Sequence, residues 1–220
     1  MPRFYKKSKP LIYVFCDGES EQVYTDFLKE KFSDVAVIRH PGGTGIFEEA
    51  DEKFKKDARY RNNVEVTDEI WFFFDVETID VNKWDKRYKI IKRLRALRKR
   101  DKKEIKVRLL MTTGCIEYWL LLHYKMLAPS IRTVAEKESI MSQVVRKEPA
   151  YKKGDKDSTF RIAEKYPVAV SNARKTVKNL LPDGLPTVED TDERNEWLYK
   201  NCKTFSTVYE AIDYLESLKN

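Results

Sequence analysis

The chain has 220 residues, enough for one domain with a full hydrophobic core. Its net charge of +7 favours a polyanionic partner, and charged residues (36%) interrupt every apolar run well short of the ~18 residues a membrane span needs. The three cysteines, Cys16, Cys115 and Cys202, are odd in number and lack metal-ligand spacing, which argues against a disulfide framework or zinc module and suits a reducing, cytoplasmic setting.

Met1–Pro10 is basic and is followed by no signal-peptide core with a small-residue cleavage site, so it reads as a loose surface lead-in. Leu11–Cys16 is aliphatic and aromatic, long enough for a buried strand and too short for a helix. It runs into the turn pair Asp17-Gly18. An amphipathic segment bearing Val23, Tyr24, Phe27 and Leu28 then predicts a helix to about Phe32. The turn therefore lies at the carboxyl end of a strand, where open α/β sheets bind ligands. Asp17, Glu19 and Glu21 crowd together there, and a hard divalent cation is the simplest neutraliser.

Val35–Arg39 reads as a second strand. His40-Pro-Gly-Gly-Thr-Gly45 is a loop before a helix from Ile46 to about Ala58. Its glycines either bring N–H groups to a phosphate or form a plain turn, and the spacing matches no standard phosphate loop. Ile70–Phe74 is aromatic and β-branched, the pattern of a central strand covered on both faces. It ends in Asp75 and Glu77. Residues two apart on an extended chain point the same way, so both carboxylates can face one side.

Ile79–Lys103 predicts a long helix with Trp84, Tyr88, Ile91, Leu94 and Leu97 or Arg98 inward. Its outer face is a run of cations from Lys83 to Lys103, Lys86, Arg87, Lys89 and Arg93 among them, offset only by Asp85 and Asp101. That face is either solvated or a nucleic-acid contact. Ile105–Met111 alternates as a fourth strand, and Thr112–Cys115 turns into an apolar helix, Ile116–Tyr124. Glu117 in its first turn either answers the helix dipole or faces the same rim as the other acids. His123, rotated off that face, and His40, with no second histidine near, read as structural.

Beyond Pro129 the chain looks helical and polar, with helices over 131–146, 158–165 and 168–181 and a basic loop at Tyr151-Lys152-Lys153-Gly154. Leu181–Pro186 is a turn-rich connector, and a closing helix to Leu218 is capped by Ser206, with Val208, Ile212 and Leu215 inward. No second strand-rich core follows, so residues 129–220 are expected to pack on an 8–128 core within one domain.

Several stretches together carry a family resemblance. Cys16-Asp17-Gly18-Glu19-Ser20-Glu21-Gln22-Val23-Tyr24, Asp68–Trp71 through Asp75-Val76-Glu77, and Cys115-Ile116-Glu117-Tyr118-Trp119 through His123 resemble the RloB-like and AbiL-type proteins of bacterial anti-phage systems. Tyr151-Lys152-Lys153 and Phe205-Ser206-Thr207 fit as well, so the resemblance spans most of the chain. It implies an α/β, Toprim-like fold, with about four mainly parallel strands flanked by helices and a helical C-terminal extension. It also implies metal-dependent cleavage of nucleic acid in abortive infection, RNA such as tRNA ahead of DNA, often beside an ATPase partner.

Toprim domains hold Mg²⁺ (or Mn²⁺) through a Glu-Gly turn, a second acid and an Asp-x-Asp pair. On this sequence those positions fall at Asp17, Glu21, Asp75 and Glu77, with Glu117 lining the site and Glu19 at a variable place. Asp17 stands where the family has Glu, and Glu77 where it has Asp. Lys86, Lys89, Arg93, Lys152 and Lys153 are the expected phosphate contacts. The alternative is a non-catalytic, basic nucleic-acid-binding or sensor module that keeps the fold. A nucleotide-binding enzyme is disfavoured because no Walker motif is present.

Overall fold

The computed structural model describes residues 9–98 and 103–219. Four strands, β1 (Leu11–Cys16), β2 (Val37–Arg39), β3 (Thr67–Val76) and β4 (Lys106–Thr113), form one parallel sheet in the order β2-β1-β3-β4. The apolar runs read as buried strands are buried, and the all-parallel pairing follows from the helical crossover after each strand. Those crossovers are α1 (Glu19–Lys31), α2 (Phe47–Lys56) with the short α3 (Ala58–Arg61), and α4 (Trp84–Arg95), with α5 (Ile116–Leu122) following β4.

Alternation along the strands sends aromatic rings to both faces. On one, Phe47 of α2 stacks on Phe72 with ring centres 4.2 Å apart, and Tyr13, Phe15, Phe54 and Tyr60 pack beside them. On the other, Tyr24 of α1 meets Phe73 and Trp119 edge to face. His123 is buried there: Nε2 lies 3.1 Å from the Tyr24 hydroxyl, Nδ1 3.0 Å from the Trp119 carbonyl oxygen, and burial lowers its pKa to about 3. The structural role read for it holds.

The C-terminal part is helical. α6 (Val134–Lys147) and α8 (Tyr166–Lys178) pack on α5, and α7 (Lys156–Ala163) packs on α1. α9 (Asp192–Asn201) lies by α4, and α10 (Tyr209–Ser217) packs on α8 and β4. Among the described residues no helix is long and apolar enough to cross a membrane.

Four features differ from the sequence expectations. The long helix from Ile79 is instead a 3₁₀ turn, Thr78–Lys83, followed by α4, whose last helical residue is Arg95. Arg87, expected outside, turns inward because that turn brings Asp80 within 3.0 Å of its guanidinium, which also covers the Phe47, Phe74 and Tyr199 rings. α9 was not foreseen; the Thr191 hydroxyl caps it by accepting from Arg194 N. Ser206 is not the cap of the closing helix. Its hydroxyl lies 3.0 Å from Thr112 Oγ1, where Ser206 forms an antiparallel bridge to β4. Residues 1–8 of the Met1–Pro10 lead-in and the cations at Lys99, Arg100 and Lys102 lie outside the described residues.

Gly114, between β4 and α5, has φ +78°, and a Cβ there would collide with the Ile131 side chain and lie 2.7 Å from its carbonyl oxygen. Gly114→Ala is expected to cost ~2 kcal/mol or more, from strain and overlap together, read as a lowered denaturation midpoint with unchanged slope.

Candidate active site

Three strand–turn–helix junctions converge at the carboxyl edge of the sheet. At the first, Asp17 N donates to the Phe73 carbonyl at 3.0 Å, which pins the turn beside β3. Gly18 is extended (φ −140°) and caps α1, and a Cβ on it would stand 2.8 Å from Glu21 Oε2. The glycine is thus what lets the Glu21 carboxylate fold back over the turn. At the second, Asp75 is the next-to-last residue of β3, opposite Thr112 of β4. At the third, Glu117 occupies the first turn of α5 and is 1% exposed.

These residues line one cleft of about 340 Å³ with Glu19, Ser20, Ile116, Lys153 and Gly154. The loop between α6 and α7 forms its far wall. Gly154 N donates to Ser20 Oγ at 3.2 Å, the Tyr151 hydroxyl donates to Glu117 Oε1 at 3.2 Å, and Lys153 Nζ stands 3.5 Å from the same oxygen.

The charge balance of the cleft is poor. Burial, then the fields of Glu21, Glu117 and Asp17, push the Asp75 carboxyl well above the usual carboxylate range, against a weaker pull from Lys137. Burial first, with Asp17 and Glu117 adding to it, raises Glu21 to about 7, and Lys153 opposes that rise. Asp17 is raised too, mainly by burial, with Arg87 pulling the other way. Asp75 Oδ1 is buried and accepts no hydrogen bond. A buried carboxylate oxygen without a partner is costly, and a cation among these acids would remove that cost.

Asp17, Glu21, Asp75 and Glu117 are therefore brought together, and Glu77 is not. Its carboxylate is ion-paired with Lys137 of α6 and lines a separate, smaller hollow. Glu77 lies one residue past β3, at the cap of the Thr78–Lys83 turn, where the Lys137 ammonium meets it directly. Glu19 is exposed at the lip. Oxygen donors and excess negative charge match a hard divalent ion, and the orphaned Asp75 oxygen gives it a place. Among the described residues, though, no three His, Cys, Asp or Glu side chains already stand at ligating geometry. The donor set fits the ion in chemistry, with Asp17, Glu21 and Asp75 as the residues to hold it.

The expected phosphate contacts divide. Lys153 reaches the cleft, and Lys152 is exposed beside it on the same loop. The face of α4 is far less one-sided than the sequence suggests, because acids from distant segments return to it. Lys86 pairs with Glu48 at 2.7 Å, Arg93 with Asp51, and Arg95 with Asp192 through two bonds of 2.7 Å. Lys89 remains exposed without an ion pair among the described residues. Tyr151 went unnoticed as a site residue. Its contact with Glu117 spans 34 positions, and no local pattern encodes it.

No curated protein and no solved structure matches the chain. A family model described as RloB-like protein matches residues 12–215, a span that takes in all three junctions and the Tyr151–Gly154 wall. The chain belongs to the RloB-like family.

Proposed function

We propose that this cleft hydrolyses phosphodiester bonds of nucleic acid with the help of Mg²⁺ or Mn²⁺, on a Toprim-like fold and in anti-phage defence. RNA such as tRNA is favoured over DNA, and cytoplasmic action beside an ATPase partner belongs to the same reading; these rest on the family resemblance. The observation that carries the chemistry is Asp75 Oδ1, buried and unpartnered among carboxylates that repel it. A bound divalent ion would polarise a phosphoryl oxygen and acidify a water. The chain's own part is distinct. Asp17, Glu21 and Asp75 hold the ion, Tyr151 fixes the Glu117 carboxylate, and the Lys153 ammonium offers a charged donor to a phosphate oxygen.

Purified protein with Mn²⁺ or Mg²⁺ is expected to cut a structured RNA or a DNA and to stop on chelation. Inertness toward both nucleic acids with both ions would remove the reading. The lack of preformed ligating geometry, and the pinning of Glu77 by Lys137, favour a second reading: a binding or sensor module without catalysis. That module would bind nucleic acid with steep salt dependence, and its melting temperature would ignore divalent ions.

A further inference from the structure

Two more hollows follow the acidic cleft along the same edge of the sheet. One, of about 50 Å³, has Glu77, Ile79, Thr113, Arg132, Lys137 and Cys202 in its walls. The other, of about 400 Å³, includes Ser130, Arg132, Asn179, Cys202, Lys203 and Thr204. Arg132 and Cys202 line both, so the two adjoin. The smaller hollow is separate from the acidic cleft but lies just past it at the end of β3: Asp75 lines the cleft, and the next two residues, Val76 and Glu77, line the hollow. The cleft and the two adjoining hollows thus follow one another past the end of β3.

Cations are spaced along this run. Lys153 stands at the acidic end, Lys137 follows against Glu77, and Arg132 sits at the junction of the next two hollows. The Arg132 side chain is exposed and has no ion pair among the described residues, while its backbone N–H donates to Glu136 at 2.8 Å. Lys203, beyond it, is loosely held by Asp183 at 3.6 Å. Two aliphatic side chains stand bare here: Ile79, in the wall of the middle hollow, is 79% exposed, and Val134, two residues after Arg132, is 73% exposed. The face of α4 offers the contrast, since Lys86, Arg93 and Arg95 there are already paired.

We propose that one unpaired polynucleotide strand lies along this run. Its phosphates rest on Lys153, Arg132 and Lys203, and its bases lie against Ile79 and Val134. Bases can meet these two side chains only when they are unpaired, so the occupant is a single strand and not a duplex. Placing the scissile phosphate at the acidic cleft rests on the phosphodiesterase reading above; the track itself does not.

The test is fluorescence anisotropy of the full chain in EDTA, where nothing is cut. The probes are a labelled single strand of about 12 nucleotides, as RNA and as DNA, and the matching duplex. Single strands are expected to bind more tightly than the duplex. Arg132→Glu and Lys203→Glu are each expected to weaken single-strand binding at least about fivefold and to flatten the salt slope by roughly one contact. Arg132→Lys keeps most of the affinity, and Arg61→Glu on α3, ahead of the amino end of β3, changes nothing. All these sites are exposed, and an unchanged melting temperature verifies the fold. A loss in Arg61→Glu equal to or greater than that in Arg132→Glu overturns the proposal. So does indifference of binding to Arg132 and Lys203, or a preference for the duplex. Single-strand binding that follows this pattern, in a protein that never cuts with Mn²⁺, would sink the phosphodiesterase reading and leave the track standing.

Discussion

Replacing Asp75 by Asn is expected to raise the melting temperature of the metal-free protein while reducing metal-dependent cleavage by roughly 100-fold or more. The two effects share one cause. In the metal-free cleft Asp75 is buried, has an unpartnered oxygen, and feels Glu21, Glu117 and Asp17. The folded protein therefore holds a proton on it more tightly than the unfolded chain does, and that difference destabilises the fold wherever the unfolded carboxyl is ionised. Asparagine has nearly the same shape, never needs the proton, and brings an N–H group toward neighbouring carboxylates. Relief of one badly placed buried polar group is worth ~1–3 kcal/mol. For a chain of this size each kcal/mol corresponds to about 2–4 °C in melting temperature. The same exchange removes the central anionic oxygen of the proposed ion site. Loss of an outer-shell partner already costs 10- to 100-fold at metal sites, so loss of a ligand should cost at least that much. Calorimetry without metal and a cleavage assay with Mn²⁺ read the two effects separately. Cleavage equal to wild type in Asp75→Asn would remove Asp75 from the chemistry, and a lower melting temperature would mean the carboxylate is not strained.

The sheet and the three acid-bearing turns were legible because each depends on a local signal. Leu11–Cys16 and Ile70–Phe74 are runs too short and too β-branched or aromatic for helices, and Asp17, Asp75 and Glu117 fall at their ends or at the next junction. What could not be read is whatever pairs residues far apart in the chain. Asp75 and Glu77 look equivalent on an extended strand, but Glu77 lies past the end of β3 and pairs with Lys137, 60 positions on. The basic face of α4 looked unopposed because Glu48, Asp51 and Asp192 come from α2 and α9. Arg87 looked solvated because nothing local signals that the next turn back holds Asp80 against it. Charge patterning within a helix says which residues share a face, and the counter-ions for that face are a property of the fold.

Without metal, stability should rise as the pH is lowered from about 8 to about 5, and with Mn²⁺ the protective effect of the ion should shrink over the same interval. Glu21 is raised from 4.5 to about 7, and Asp75 and Asp17 are raised as well. A carboxyl with a raised folded pKa binds protons more tightly in the native state. Its contribution is therefore fully favourable below the unfolded pKa and is lost as the pH climbs through the folded one. For Glu21 alone the displacement corresponds to roughly 3 kcal/mol across that range. Carboxylates of the opposite kind do not interfere in this window, but buried His123, its pKa lowered to about 3, offsets part of the gain below about pH 6.5, where the unfolded chain's imidazole takes up a proton and the folded one does not. Glu136, held down to about 2 by backbone N–H donors, and Asp51 and Asp192, lowered within their ion pairs, stay ionised until well below pH 5. Divalent ions compete with the same protons, so the shift in melting temperature on adding Mn²⁺ should be largest near pH 8 and nearly absent near pH 5. Melting curves across this range, with chelator and with Mn²⁺, give two lines of opposite slope that converge at acid pH. In Asp75→Asn the Mn²⁺ effect should vanish at every pH. Parallel lines would mean that the ion, if it binds at all, binds away from these carboxylates.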